Sequence, residues 1–263
     1  MPKIDNVGHG EFTGLKMQIL GKIYDMHLAV TQAVLRKYPS FRQIYRYFDL
    51  TAGKGYVPGS TIPGSPLVFL NSVHAESLNT PFEAHLIECN DMNFQELQVN
   101  IDKYAKQKGL DLEKSIRLYQ NKYEEIVPSI LGATNNREFG LFFIDHSGDL
   151  PNFETINLIS QKRPRMEILI YLPARNIKRL HHINNKSLLD YMKEMGKSHW
   201  LIRKPINWDN LEWTFLLGSN TDIFKNYKGI DFFKLESEEA QTFFPKLNLT
   251  SKERMEKIQP RLL

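Results

Sequence analysis

Three carboxylates stand at the ends of apolar runs and are followed by turn-forming residues: Asp49 before Thr51-Ala52-Gly53-Lys54-Gly55, Glu88 before Cys89-Asn90-Asp91, and Asp145 before His146-Ser147-Gly148. An acid at the carboxyl end of a buried strand points into the crevice where open α/β sheets bind ligands. Gly53 and Gly55 allow positive φ and close approach of a ligand to the backbone. A dinucleotide site would need G-x-G-x-x-G running straight into a helix, and a P-loop would need G-x-x-x-x-G-K-[ST]. Neither pattern is present: after Gly55 about ten residues intervene before a helix start at Ser65-Pro66, a gap that reads as too long for a pyrophosphate to reach the helix N-terminus. Asp49 would repel a phosphate and suits a cationic or amino-acid group. Glu88, 33 residues beyond Gly55, is able to accept both hydroxyls of a ribose, or is an exposed strand-end acid. Taken with the glycine loop it favours a nucleoside with a cationic tail. Asp145 and His146 suit acid/base work or substrate positioning; the alternative makes Asp145 a helix cap and His146 a loop residue.

The elements that must hold these residues alternate. Leu15, Ile19, Ile23, Met26, Val30 and Val34 form one helical stripe, with Thr13 as N-cap. Strands are expected at 44–50, 82–90, 115–121, 139–148, 166–174, 211–220 and 229–237, the last two as an antiparallel pair. Helices are expected between them, including a basic one from about Asn176 to Met195. The apolar run at 139–144 indicates a strand buried on both faces of a mostly parallel sheet. This pattern gives an α/β fold in a single domain over 1–263: a helical extension (1–40), a sheet core (41–237) and a C-terminal helix (238–263).

The composition is that of a soluble globular chain: 263 residues, 41% hydrophobic and 24% charged, with one cysteine. No apolar run approaches the ~20 residues of a membrane span. The first twelve residues lack the apolar core of a secretory signal, and Cys89 alone forms no internal disulfide or cysteine metal cluster. A cytoplasmic location follows as the expectation. His181 and His182 are adjacent, so their rings point apart on a helix, and no metal site is expected. The net charge of +4 is unevenly spread: residues 162–204 hold eleven Lys/Arg against three acids, so this segment is +8 and the remainder −4. Such asymmetry points to a polyanionic partner. Arg175, Lys178 and Arg179 begin the basic stretch after the fifth strand, and Lys54 sits in the glycine loop, so these four are candidate nucleic-acid contacts. Trp200, Arg203 and Lys204 continue it, with Trp200 either a stacking platform or a core anchor.

The strand order and three strand-end motifs resemble the class I S-adenosylmethionine-dependent methyltransferases, with a Rossmann-like seven-stranded sheet. The resemblance covers about residues 44–237. "YFDLTAGKG" is similar to that group's first motif. It implies that Asp49 lies near the methionine part of S-adenosylmethionine, with backbone contacts from Thr51, Ala52, Gly53 and Gly55. Glu88 takes the place of the ribose acid and Asn121 that of a residue beside the adenine. "YFDLTAGKG", "GSPLVFL" and "FIDHSG" together resemble the three-Cys-motif partner (TcmP-like) family of phage and mobile genomes. There are departures: Lys54 stands for a proline, and His146-Ser147 for Pro-Tyr. The aromatic clamp on a target base would then come from Tyr171, Trp208 or Trp213. The resemblance implies methyl transfer to a base amine in nucleic acid, of the N6-adenine type, in DNA ahead of RNA, with Asp145 and His146 as catalytic residues. The alternative is a catalytically degenerate relative that binds nucleic acid or a protein partner.

Overall fold

A computed structural model describes residues 11–38, 44–57, 59–75, 81–146, 151–173, 187–208 and 211–244. The chain divides into two compact units, 1–126 and 127–263. The basic residues Arg175, Lys178, Arg179, His181 and His182 lie outside the described residues, as do Ser147 and Gly148.

The first unit is built on three parallel strands, β1 (Tyr45–Asp49), β2 (Phe82–Glu88) and β3 (Ile116–Gln120), in the order β3-β2-β1. Parallel strands need crossovers, and α2 (Ser65–Val73) and α3 (Asp91–Lys108) supply them. The long amphipathic helix α1 (Glu11–Lys37) precedes β1. It starts two residues before Thr13, which is a buried residue of its first turn rather than its cap. α2 follows Gly64 without a side-chain cap, and Pro66 sits in its first turn where no intrahelical N–H is needed. α3 is capped by the Asn90 side chain, which accepts from Asn93 N–H, and stops at Gly109 in the left-handed region. Period-two alternation divides the strands into two faces. Tyr45, Tyr47 and Asp49 share one with Ala84, Leu86 and Glu88. That face meets α1 and α2 through an aromatic cluster: Tyr47 stacks on Phe69 at 3.9 Å, and Tyr24 meets both rings edge-on. The opposite face carries Arg46, Phe48, Glu83, His85 and Tyr119. Arg46 pairs with Glu83 there, and His85 lies between Phe48 and Tyr119.

α4 (Tyr123–Leu131) leads into the strands of the second unit, whose order is β4-β5-β8-β6-β9. β4 (Gly140–Ile144) is fully buried and parallel to β5 (Glu167–Pro173), with α5 (Phe153–Lys162) between them in sequence. β8 (Leu211–Ser219) lies antiparallel to β5, and β6 (His199–Arg203) antiparallel to β8. The edge strand β9 (Phe232–Lys234) pairs with β6, and β7 (Ile206–Trp208) with the start of β8. α6 (Leu188–Glu194) opens on a capping box between Ser187 and Asp190. The short helices α7 (Phe224–Tyr227) and α8 (Glu238–Phe243) flank β9.

Two expectations are corrected. The described residues hold nine strands rather than seven, and the segments at 211–219 and 232–234 do not pair, because β6 separates them. β6 is the apolar core of a stretch read as basic: Trp200, Leu201 and Ile202 are buried between His199 and Arg203. Trp200 is a core anchor rather than an exposed stacking platform. Its ring lies across Gly218 of β8, where a Cβ would come within 2.6 Å of it. Tyr171 and Trp213 pack on each other and on Phe215, with Trp213 only 1% exposed, so neither offers a face to a base in this structure. Trp208 belongs to β7.

Candidate cofactor-binding site

At the carboxyl ends of β1 and β2, within the first unit, Asp49 and Glu88 both hold the glycine turn by accepting its backbone N–H groups. Asp49 is completely buried. One of its oxygens accepts the Tyr47 hydroxyl at 3.0 Å and the other accepts Thr51 N–H at 3.2 Å. The Tyr47 and Tyr24 hydroxyls lie 2.6 Å apart, so a chain of hydrogen bonds runs from α1 through β1 to the acid. Burial first, then the Asp49 carboxylate, holds the Tyr47 phenol well above its usual ionisation range, so it stays a donor at any ordinary pH. Asp49 thus shapes the turn from behind; no part of its side chain reaches the surface.

Glu88 holds the turn at Gly53. Its Oε2 accepts Gly53 N–H at 2.9 Å and its Oε1 accepts Asn90 N–H at 2.7 Å. A carboxylate has about four acceptor positions, so two donors leave it able to take hydroxyls as well. Asn121 N–H donates to the Glu88 carbonyl at 3.2 Å, which sets the turn after β3 beside the end of β2.

The two glycines of Gly53-Lys54-Gly55 have different tasks. Gly53 has φ +62°, and a Cβ there would meet nothing within 4 Å, so its outer side is open. Gly55, at φ +83°, faces α3, where a Cβ would come within 3.3 Å of Asn100 and 3.4 Å of Leu97. Asn100 Nδ2 donates to the Lys54 carbonyl at 2.7 Å and fixes the turn to α3. The Thr51 and Ala52 amides are engaged within the fold, by Asp49 and by the Ile87 carbonyl. Lys54 Nζ pairs with Glu96 on α3 at 2.8 Å.

The segment before α2 overturns one inference from spacing. Gly64 N–H donates to the Gly55 carbonyl at 2.7 Å, Val57 N–H to the Ile62 carbonyl, and Tyr56 and Pro63 form an antiparallel bridge. These contacts return the chain to its starting point, so the start of α2 sits directly against Gly55. The sequence gap does not carry the helix away from the turn.

In the second unit, Asp145 and His146 follow the last residue of β4, both partly exposed. Sequence reasoning missed Tyr24, Tyr47 and Asn100. Tyr47 had a signal: it stands two residues before Asp49 and so shares its face of the strand.

No protein-family model and no curated protein sequence matches the chain. Solved structures do. A protein of Legionella pneumophila matches with a TM-score of 0.50 at 15% identity, over 84% of this chain and 91% of that one. Escherichia coli YhhF matches with a TM-score of 0.39 at 15% identity, over 73% of this chain and 87% of that one. The METTL16 methyltransferase domain matches with a TM-score of 0.40 at 12% identity, over 72% of this chain and 64% of that one. At these identities the likeness is one of fold, and the fold is Rossmann-like α/β.

Proposed function

We propose that this chain is an S-adenosylmethionine-dependent nucleic-acid methyltransferase acting on a base amine, of the N6-adenine type, in DNA. The observation that carries the reading is Glu88 closing β2 with one oxygen on Gly53 N–H, beside a glycine whose outer side is open. The residues fit the cofactor: Glu88 keeps acceptor capacity for a ribose diol, Gly53 leaves room for close approach, and Asn121 borders the same turn. Bound there, S-adenosylmethionine would supply a methyl group on a cationic sulfonium. The chain's part is proximity, orientation and exclusion of water. Asp49 and Tyr47 hold the turn in shape, and Asp145 accepts a hydrogen of the target amine and orients its nitrogen, with His146 beside it in sequence. Arg175, Lys178 and Arg179 contribute phosphate contacts, a role read from charge alone. Kinship with the three-Cys-motif partner family belongs to the same reading and rests on the motif residues.

The test is incubation with labelled S-adenosylmethionine and separate pools of DNA, RNA and protein. Label in DNA, lost in Asp145→Ala while cofactor binding persists, is the expected result. Label in protein alone, or in no pool, contradicts the proposal.

A further inference from the structure

The closed excursion after Gly55 and the outer side of α3 enclose a second feature of the first unit, a cleft of about 430 Å³. Its α3 wall is a polar stripe, Glu96, Asn100, Lys103 and Gln107, at helical spacings of four, three and four. Its other wall is Lys54, Tyr56 and Thr61. The volume falls within the range of small-ligand sites.

Its composition is selective. Two ammonium groups meet one carboxylate, and that carboxylate, Glu96, is already paired with Lys54. Such a half-exposed pair is weakly held and exchanges readily for a better anion. Lys103 is exposed, and Tyr56 is the aromatic residue of the lining. The walls are also fixed: Gly55–Gly64 and Tyr56–Pro63 close the excursion, and Asn100 ties α3 to the Lys54 carbonyl. Cations, a π-face and amides in a fixed slot match one nucleotide of a single strand, the phosphate on lysine and the base on the ring. Fully stacked duplex bases could not present that face.

We propose that this cleft holds a nucleotide flanking the target base, in a single-stranded or locally opened nucleic acid. The inference rests on the nucleic-acid methyltransferase reading and adds where the strand runs: from the glycine turn across the face of α3. Lys54 and Lys103 contact phosphate, and Tyr56 stacks.

The experiment measures anisotropy of a fluorescein-labelled single-stranded 12-mer, as DNA and as RNA, with wild type, Lys103→Glu and Tyr56→Ala across a salt series. S-adenosylmethionine affinity is measured in parallel by calorimetry. Lys103→Glu sits on an exposed helix position and should weaken binding about tenfold and reduce the salt slope by about 0.7. Tyr56→Ala should weaken it about tenfold with the slope unchanged. Cofactor affinity should stay within about twofold for Lys103→Glu. Oligonucleotide binding unchanged in Lys103→Glu, or absent in wild type, overturns the proposal. Competition by inorganic phosphate alone as strong as by a mononucleotide also overturns it, because the cleft would then be an anion site with no part for Tyr56. Loss of cofactor binding in wild type defeats the methyltransferase reading, and the anisotropy series still decides the cleft.

Discussion

Asp49 and Lys197 are both charged side chains removed from water, 0% and 5% exposed, and the fold treats them in opposite ways. Lys197 Nζ donates to three main-chain carbonyls, Arg163 at 3.2 Å, Pro164 at 3.3 Å and Met166 at 2.7 Å, and so closes the turn between α5 and β5. All three of its protons are spent on backbone. Asp49 accepts the Tyr47 hydroxyl and the Thr51 N–H, and the latter belongs to the turn that leads to Gly53. A buried charge fully occupied by main chain is a structural pin. On the proposed reading, a buried charge that fixes a loop whose outer side is open shapes a ligand site. The comparison separates two roles that burial alone would not.

It breaks most sharply at Lys197. Replacement by Ala removes a packed stem and a donor from three carbonyls, of which Arg163 keeps Met166 N–H and Pro164 keeps Asn220 Nδ2, and should cost about 3 kcal/mol in urea unfolding. S-adenosylmethionine affinity should stay within about twofold; a large loss of affinity would dissolve the contrast.

The next effect is in pH. Burial lowers the Lys197 pKa from its ordinary 10.5 to about 8. Below that value the ammonium is charged in both folded and unfolded chains, and the folded state carries the desolvation cost. Between about 8 and 10.5 the unfolded chain binds the extra proton, so this group's contribution to stability rises with pH across that window, by up to about 3 kcal/mol. Wild type minus Lys197→Met, unfolded in urea at each pH, isolates it. A difference that falls or stays flat through the window would show that the amine is not desolvated.

Asp49→Asn comes third. The amide is able to keep one acceptor but not both, so stability should drop by about 2 kcal/mol. Cofactor affinity should fall at least about tenfold, roughly 1.4 kcal/mol, because the turn loses its shape. Tyr47→Phe is the mildest. It removes one hydrogen bond from the Tyr24 hydroxyl and one from an Asp49 oxygen, for about 1 kcal/mol and a few-fold loss of affinity. Equal affinity in both variants would make Asp49 a pin of the same kind as Lys197.

β1, β2 and β4 were legible because their apolar runs lead into acids: β2 ends at Glu88, β1 at Asp49, and Asp145 follows β4. The rest was hidden for identifiable reasons. β6 is a run of three buried residues between His199 and Arg203, too short to outweigh the surrounding charge in a composition argument. Lys197 was counted among the cations of a polyanion-facing segment, since a letter code does not say whether an ammonium meets water or carbonyls. The excursion after Gly55 was measured as length along the chain, whereas hydrogen bonds between Gly55 and Gly64 return the chain to its starting point. Tyr24 sits beside the apolar stripe of α1, and only the tertiary fold brings its hydroxyl to Tyr47. Among the described residues no helix is long and apolar enough to cross a membrane.

One titration tests the glycine turn and Glu88 most directly: S-adenosylmethionine into wild type and into Glu88→Ala, followed by calorimetry. Saturable heat with wild type and at least about tenfold weaker binding with Glu88→Ala is the expected outcome. No heat with wild type, or equal affinity in the two proteins, contradicts the assignment of the glycine turn and Glu88 to the cofactor.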